Sequence, residues 1–436
     1  MDGTLLKSKQ LFYPALTFPY LAALTPPEHT ISMTHELLED IDFNEKIDLV
    51  GLTSITNNVF RAYEIADEFR KRNIPVVMGG FHASAEPEEA LEHADSVFIG
   101  EAEDIWPQFL LDFQRGTYKK KYKADIPPSL KGIPIPDYSI INKSFYAGYE
   151  RKGLSRFFLN PVIPVQTARG CTNNCDFCDV CHFHNHTYRP RPVSDVVEEI
   201  KKLGGKWVCF VDDNIFADYS RAKELFRALL PLKITWFGQG TISAAEDKEL
   251  LTLSKKSGCR GLLIGLETIF QKGLTYLNKD INNVDQFENN LRAYKKAGIE
   301  VDASMIFGLD EEDQGAFQET YDFLMRNHVP FAGLQPLRPS PGTTFYERLK
   351  KQGRLKEDKW WLNPGSAADV FNLKFTGTKI SEEFPIRLFE FYQKFYSTKS
   401  IIQRFLIPPQ SRFLLNIIIT LRMRKKITRQ AFISEY

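Results

Sequence analysis

The sequence predicts an α/β protein in which a doubly wound parallel sheet precedes a partial (β/α)6 barrel and a helical C-terminal extension. Three observations predict this fold. Short apolar runs alternate with amphipathic patterns in the first third, six further apolar runs follow from residue 161, and the alternation ends near residue 345. Such alternation is typical of βαβ units, whose strands run parallel. We therefore expect a first domain at 1–115, a proline-rich linker at 116–160, a barrel at 161–345 and a basic, mostly helical extension at 346–436.

The first domain contains four apolar runs of strand length, at 29–35, 48–56, 74–80 and 96–103. Patterns that predict helices lie at 16–27, 60–72, 87–94 and 104–113. An open parallel sheet binds its ligands at the carboxyl ends of its strands. The candidate ligand contacts are therefore the residues at those ends: Thr53, Ser54, Gly79, Gly80, His82, Gly100 and Glu101. The paired glycines would let a large ligand approach the backbone, or they form only a turn.

The second alternation predicts six barrel strands, at 162–170, 206–214, 234–240, 260–268, 300–310 and 331–339. Five helical patterns separate them, at 193–203, 220–230, 246–258, 284–298 and 315–327. The active site of an α/β barrel lies at the C-terminal ends of its strands. Polar residues directly after these strands are therefore the candidates for catalysis and binding.

Composition narrows the function classes. The 56 basic and 55 acidic residues give a net charge of +1, which argues against a nucleic-acid partner. Of the six cysteines, four fall between Cys171 and Cys181, which favours thiolate ligands in a reducing compartment over disulfides. The N-terminus lacks a secretory signal pattern and no run of 18 apolar residues occurs, so we expect a cytoplasmic protein.

The C-terminal segment departs from this charge balance. Residues 399–436 carry eight Lys or Arg and one Glu around the apolar run FLLNIIITL. Two interpretations stay open: a final helix packed on the core, or an interfacial segment that makes peripheral contact with anionic lipid.

The sequence RGCTNNCDFCDVCHFHNH at 169–186 predicts a metal site. Thiolates at Cys171, Cys175 and Cys178 could bind three irons of a 4Fe–4S cluster and leave the fourth iron open. An open coordination position is typical of reactive metal sites, whereas structural sites are closed. Cys181 keeps a four-cysteine zinc site as the competing interpretation, although zinc modules usually draw their ligand pairs from separate segments.

Charged residues after the cysteines also have two interpretations. His182, His184 and His186 could form a solvated loop or a gate over an open iron. Arg189 and Arg191 could bind a carboxylate or phosphate, but we expect them to pair with helix acids such as Glu198.

The stretch RGCTNNCDFC resembles the Cys-x3-Cys-x-aromatic-Cys signature of the radical SAM superfamily, with Phe177 as the aromatic residue. This resemblance implies that Cys171, Cys175 and Cys178 hold a 4Fe–4S cluster whose open iron chelates S-adenosylmethionine. It also implies that residues near the cluster and after the other strands contact this cofactor: Phe177, Asp212, Asp213, Gln239, Ser243, Glu267, Ile306 and Gly308.

Residues 48–84 resemble the cobalamin-binding domain that precedes many radical SAM barrels, and the chain is most similar to the subgroup that holds hopanoid methylases. Two departures matter. The motif Asp-x-His-x-x-Gly is absent, so no lower-face histidine ligand to cobalt is evident. The first strand of such a domain is also absent, which predicts a sheet one strand short. His82 lies near the expected corrin face, as a turn residue or as a ligand.

The resemblance implies an enzyme that cleaves S-adenosylmethionine reductively and functionalises an unactivated carbon. Cobalamin-dependent methyl transfer to a small molecule or lipid is the leading prediction, with flavodoxin or ferredoxin as electron donor. Two alternatives stay open. One is a cyclase or C–C coupling enzyme without methyl transfer. The other is a non-catalytic metal- or cobalamin-binding regulator whose cysteine loop holds zinc.

Overall fold

The computed structural model describes residues 11–146, 161–365, 372–380 and 383–405. The parallel α/β class predicted from the sequence is confirmed. By its contacts the described chain forms two compact units. The first unit comprises residues 11–146, 161–170, 182–211 and 361–365. The second comprises residues 171–181, 212–360, 372–380 and 383–405.

The first unit contains a four-stranded parallel sheet whose strands follow one another in chain order. These strands are β1 (Val50–Thr53), β2 (Val76–Gly79), β3 (Ser96–Ile99) and β4 (Lys121–Lys123). The helices of this region are α1 (Thr17–Leu24), α2 (Val59–Arg70), α3 (Phe81–Ala85), α4 (Pro87–His93) and α5 (Trp106–Gln114). The first three residues of both β2 and β3 are buried, as expected for central strands with both faces covered.

Two sequence predictions for this sheet were wrong. Residues 29–35 form no strand, because their alternating pattern buries nothing: Ile31, for example, is 37% exposed. Conversely, the predicted linker contains β4, in which only Tyr122 is buried between two exposed lysines. No strand precedes Val50 within residues 11–49, so the described sheet begins with β1.

The predicted barrel strands are all present and parallel, in the order β5-β8-β9-β10-β11-β12. They are β5 (Val162–Val165), β8 (Trp207–Phe210), β9 (Thr235–Gly240), β10 (Cys259–Glu267), β11 (Glu300–Phe307) and β12 (Phe331–Pro336). A short antiparallel ribbon, β6 (Ala168–Gly170) and β7 (Tyr188–Pro190), lies between β5 and β8 in the chain.

Helices separate these strands and end the described chain. They are α6 (Asp179–Phe183), α7 (Val193–Leu203), α8 (Tyr219–Leu229), α9 (Lys248–Lys256), α10 (Gln271–Tyr276), α11 (Phe287–Ala297), α12 (Ala316–Arg326), α13 (Thr344–Lys351), α14 (Phe384–Phe395) and α15 (Thr398–Phe405). Along β11 every second residue is buried, so one face of the strand packs against apolar neighbours and the other stays accessible.

The free edge of β12 is covered by two tyrosines of α14. The Tyr392 hydroxyl donates to the Leu334 carbonyl at 3.0 Å and accepts from the Leu334 amide at 2.8 Å. The Tyr396 hydroxyl makes the same pair of bonds with Ala332, at 3.0 and 3.3 Å. Tyrosines one helical turn apart thus satisfy alternate residues of an open sheet edge, which would otherwise be available for pairing with another chain.

Within the described ranges no helix has both the length and the apolar character needed to cross a bilayer. Most of the basic C-terminal segment, residues 406–436, lies outside the described residues.

Candidate active site

The cysteines occupy the loop that leaves β6 and returns to the ribbon at β7. Gly170 begins this loop with a φ of +80°, and a Cβ on Gly170 would overlap the carbonyl of Thr187. Only glycine tolerates both conditions, so the RGC sequence is explained by the turn itself.

The three predicted ligands, Cys171, Cys175 and Cys178, are all free thiols. The side-chain amide of Asn214 donates to Cys171 Sγ at 3.9 Å. Burial raises the pKa of the Cys175 thiol to about 12, although the nearby charge of Lys279 opposes the effect. Thiols in such a buried environment become ligands when a metal displaces their protons, because metal coordination favours the thiolate.

Cys181 is the fourth cysteine of this loop. Its thiol is buried, donates to the Asn173 carbonyl at 3.1 Å and shares a side-chain hydrogen bond with Cys178. Among the described residues no three His, Cys, Asp or Glu side chains converge on a point that could hold a single metal ion. A cluster takes one thiolate per iron, so its ligands surround a volume instead of converging on a point. Three neighbouring cysteines therefore have the donor chemistry that a 4Fe–4S cluster requires.

An ion pair lies beside the cysteine loop. Lys279 Nζ binds Glu267 at the end of β10, and both side chains are largely buried. The same ammonium lies 5.9 Å from the centre of the Phe177 ring. In the sequence, Phe177 stands between the second and third cysteine of the motif. The structure therefore brings two predicted residues, Phe177 and Glu267, together through a lysine.

The residues predicted after β8 and β9 occupy the carboxyl ends of those strands. Asp212 is buried, and Asp213 is partly exposed. Gln239 is exposed on β9, while its backbone carbonyl accepts from the Ile215 amide at 3.0 Å. Ser243 Oγ lies 3.4 Å from the hydroxyl of Tyr219.

A glutamate holds the turn that begins at Gly308, directly after β11. Glu312 accepts the backbone amides of Gly308 at 2.8 Å and Leu309 at 3.1 Å. Burial raises the pKa of Glu312 to about 7. Ile306 lies on the accessible face of β11. The preceding residue, Glu311, is exposed, whereas the buried Glu312 shapes the turn.

In the first unit, the carboxyl edge of the sheet has features of a ligand cradle. Ser54 is 4% exposed and its hydroxyl finds no hydrogen-bond partner among the described residues. Gly80 has a φ of +98°, and a Cβ there would lie 2.7 Å from Thr53 Oγ1 and 2.8 Å from the Ser54 carbonyl. Gly79 precedes it at the end of β2, and Gly100 follows β3. An unpartnered buried hydroxyl beside a tight glycine turn fits a ligand that approaches the backbone, as cobalamin would.

His82 is fully buried next to this edge. Its Nδ1 lies 3.1 Å from Thr56 Oγ1, and its Nε2 lies 3.1 Å from Glu89 Oε1. The same Glu89 oxygen accepts the indole N–H of Trp361 at 2.9 Å and the hydroxyl of Tyr63 at 3.0 Å. The ring of His82 is thus part of an interior polar network in this conformation, with both nitrogens engaged.

Glu101 joins β3 to the ribbon that borders the cysteine loop. Its carboxylate accepts from Arg169 at 2.5 Å, from His184 Nδ1 at 3.0 Å and from Arg189. Arg169 also pairs with Glu103. Burial alone would raise the pKa of Glu101, but hydrogen bonds from His184 and the two arginines lower it to about 2.

This network corrects part of the arginine prediction. Arg191 does pair with a helix acid, Glu199 of α7, at 2.7 Å in a buried ion pair. Arg189 instead reaches Glu101, 88 residues away in the chain.

Sequence reasoning missed three residues of the site. Asn214 directly follows the two predicted aspartates in the sequence FVDDN at 210–214, so a broader interpretation of that sequence would have included it. Lys279 lies in a turn after α10 and Glu312 in the turn after β11, and no sequence signal marks either residue.

Two family models match the chain. The model described as "Radical SAM superfamily" matches residues 165–324, and the model described as "B12 binding domain" matches residues 25–110. The first match covers the cysteine loop and the strands β8 to β11, and the second covers β1 to β3 of the first sheet.

Named relatives and a solved structure agree with these two family matches. The chain is 31% identical to bacteriochlorophyllide d C-8(2)-methyltransferase of Chlorobaculum tepidum, over 97% of this chain and 93% of that protein. It is 23% identical to hopanoid C-2 methylase of Rhodopseudomonas palustris, over 80% of this chain and 66% of that protein. The structure of TsrM from Kitasatospora setae, a radical S-adenosylmethionine methyltransferase with cobalamin and a [4Fe-4S] cluster bound, superimposes with a TM-score of 0.61 at 17% identity and covers 88% of this chain and 89% of TsrM. The chain therefore belongs to the radical SAM superfamily, in the group of methyltransferases that carry an N-terminal B12-binding domain.

Proposed function

We propose that this enzyme transfers a methyl group to an unactivated carbon of a small-molecule substrate, using a 4Fe–4S cluster, S-adenosylmethionine and cobalamin. The observation that carries the proposal is the three-thiol loop of Cys171, Cys175 and Cys178, in a chain similar to a methyltransferase over nearly its whole length. Family membership makes the chain an enzyme and argues against a non-catalytic regulator whose cysteine loop holds zinc.

The protein's own residues would bind, orient and shield the cofactors. When bound, these groups supply reductive cleavage of a sulfonium and a transferable methyl group. Cys171, Cys175 and Cys178 would hold the cluster, and the Asn214 amide would donate to the first thiolate, as outer hydrogen bonds to cluster sulfurs do. Glu267, fixed by Lys279 at the end of β10, would contact the ribose of S-adenosylmethionine. Asp212, Asp213, Gln239, Ser243, Ile306 and Gly308 would line the rest of that cofactor, as the sequence resemblance implies.

For cobalamin, the carboxyl edge of the first sheet is the proposed cradle. Ser54 and Thr53 would donate hydrogen bonds, and Gly79, Gly80 and Gly100 would let the corrin approach the backbone. His82 and Glu101 would support this edge without touching cobalamin. Their polar atoms already bind other residues of the protein.

For the substrate we favour a macrocycle of the bacteriochlorophyllide class over a lipid. The relative named for that substrate is more similar and more completely covered than the hopanoid methylase. The accessible face of β9–β12 supports this choice. Leu263, on this face of β10, is 39% exposed. A Cβ on Gly333 of β12 would meet nothing within 4 Å. The residues in register with Leu263 are polar, Gln239 on β9 and Asp302 on β11. An apolar side chain beside open space with polar neighbours would suit a large flat ring that carries polar substituents.

The test uses the reconstituted, reduced full chain with S-adenosylmethionine carrying a labelled methyl group. Candidate bacteriochlorophyllides and a hopanoid are offered separately. Label transfer to the macrocycle together with 5′-deoxyadenosine supports the proposal, and transfer to the hopanoid instead would overturn the substrate class. Deoxyadenosine with an altered but unlabelled product would show a cyclase or coupling enzyme.

Two further parts of the proposal concern partners. A low-potential donor such as flavodoxin or ferredoxin would reduce the cluster. The basic segment 399–436 would hold the enzyme at an anionic lipid surface, where apolar substrates collect. Flotation with anionic liposomes tests the second part, and equal recovery of the full chain with anionic and neutral liposomes would contradict it.

A further inference from the structure

We propose that Lys279 is a positioning residue that sets the charge around the cysteine loop and raises the reduction potential of the cluster bound there. Neither the motif nor the strand pattern marks this lysine. The inference rests on the cluster that family membership implies, and not on the identity of the substrate.

The turn that carries Lys279 is fastened to the cysteine loop by direct hydrogen bonds. The side-chain amide of Asn278 donates to the Asn174 carbonyl at 2.8 Å. The backbone amide of Asp176 donates to the Leu277 carbonyl at 3.1 Å. The two residues before Lys279 thus bind the segment between Cys171 and Cys178, so the lysine has a fixed place beside the thiols.

The ammonium is also fixed at its tip. Lys279 Nζ forms an ion pair with Glu267 and lies 5.9 Å from the Phe177 ring centre, with its side chain 11% exposed. Burial would lower the pKa of Lys279, but the negative charges of Glu267, Cys175 and Cys178 together raise it, so the group stays cationic. A charge held in a largely buried position interacts more strongly with neighbouring charges than one in water.

The ammonium is a positive charge next to the cysteine motif. Its Nζ lies 5.9 Å from the ring centre of Phe177, the residue before Cys178, and the turn that carries it binds the loop at Asn174 and Asp176. Reduction adds an electron to a cluster that three thiolates already make negative, and net charge near a cluster sets its potential. A cation here favours the reduced state that cleaves S-adenosylmethionine.

The backbone supports this arrangement. Glu267 has a φ of +66°, a strained conformation for a residue other than glycine or asparagine. The Asn282 side-chain amide holds the preceding turn by donating to the carbonyls of Gly265 at 3.0 Å and Leu266 at 3.2 Å. A Cβ on Gly265 would lie 2.7 Å from Lys279 Nζ, so the absent side chain at this position leaves room for the pair.

The experiment is an EPR-monitored redox titration of the reconstituted full chain without S-adenosylmethionine or substrate. Lys279→Met should lower the midpoint potential, Lys279→Arg should keep it near wild type, and Glu267→Gln should raise it. Lys272→Met is the matched control, because Lys272 is an exposed lysine of α10 and should leave the potential unchanged. Opposite shifts for the two members of one ion pair are expected from charge and not from loss of packing.

Equal shifts for the methionine and arginine variants would overturn the inference, as would a Lys279→Met potential equal to that of the control. If Lys279→Met fails to retain iron, Glu267→Gln carries the test alone, since it leaves the lysine in place; a fall of its potential refutes the proposal. A wild-type chain that binds no cluster would contradict the cluster itself, which is a separate result.

Discussion

Glu101→Gln removes the charge at the centre of the network that joins β3 to the β6–β7 ribbon. The substitution keeps the size of the side chain, which is 8% exposed, but leaves Arg169 and Arg189 with one carboxylate fewer. Removing one partner of a buried ion pair costs about 3–5 kcal/mol, because a charge stays buried without compensation. We expect a loss of that size in the free energy of unfolding of the first unit.

Glu88→Gln is the matched control in the same unit. Glu88 pairs with Lys121, but its side chain is 76% exposed. Exposed ion pairs contribute about 0–1 kcal/mol, so this variant should unfold almost like wild type.

The effect of Glu101→Gln should depend on pH. The folded-state pKa of Glu101 is lowered to about 2 from 4.5, so the carboxylate contributes stability that is fully present above pH 4.5. That contribution is lost as pH falls through the interval from 4.5 to 2, because the folded state then takes up its proton later than the unfolded state. The difference between wild type and Glu101→Gln should therefore shrink as the solution is acidified.

The assay is urea unfolding of the full chain followed by far-UV circular dichroism at pH 7, 5, 4 and 3. A loss below about 1 kcal/mol for Glu101→Gln, equal to that of the exposed control, would refute the reasoning. So would a difference from wild type that stays constant on acidification.

Three other perturbations have defined outcomes. Gly80→Ala should destabilise the first unit by about 1–3 kcal/mol and reduce cobalamin uptake, measured by absorbance after gel filtration, because the new Cβ meets the Ser54 carbonyl at 2.8 Å. Tyr392→Phe and Tyr396→Phe should each cost about 1–2 kcal/mol in thermal unfolding, since each leaves an amide of the β12 edge unsatisfied; no change would show that water replaces the hydroxyls. Glu312→Gln should flatten the pH dependence of unfolding. The pKa of Glu312 is raised to about 7, so wild type loses stability as pH rises from 4.5 to 7, whereas a variant with the same slope would contradict the shift.

The barrel strands and the cysteine loop were predictable because their signals are local. Six apolar runs separated by amphipathic segments leave few alternatives to parallel βα units. The motif at Cys171, Cys175 and Cys178 needs no tertiary information, since its spacing alone predicts a shared inorganic ligand.

The errors came from elements whose burial depends on the rest of the chain. β4 is a short Lys-Tyr-Lys edge strand, and one buried tyrosine between lysines has no strand pattern. The run at 29–35 alternates as a strand would, but none of its residues is buried.

The charge pairs that sequence reasoning missed join residues that are separated in the chain. Lys279 depends on Glu267, twelve residues earlier, and on a turn bound to the cysteine loop. Arg189 pairs with Glu101, two residues after the end of β3. Charge pairs of this kind have no periodicity, so only the folded chain reveals them.

The most direct test of the account compares single cysteine variants of the reduced, iron-reconstituted full chain. The measured quantity is 5′-deoxyadenosine formed from S-adenosylmethionine, together with iron and sulfide content. Alanine at Cys171, Cys175 or Cys178 should abolish the product and the intact cluster, whereas Cys181→Ala should retain both. Retained cleavage in any of the first three variants, or its complete loss in Cys181→Ala, would contradict a cluster held by three thiolates with one iron open.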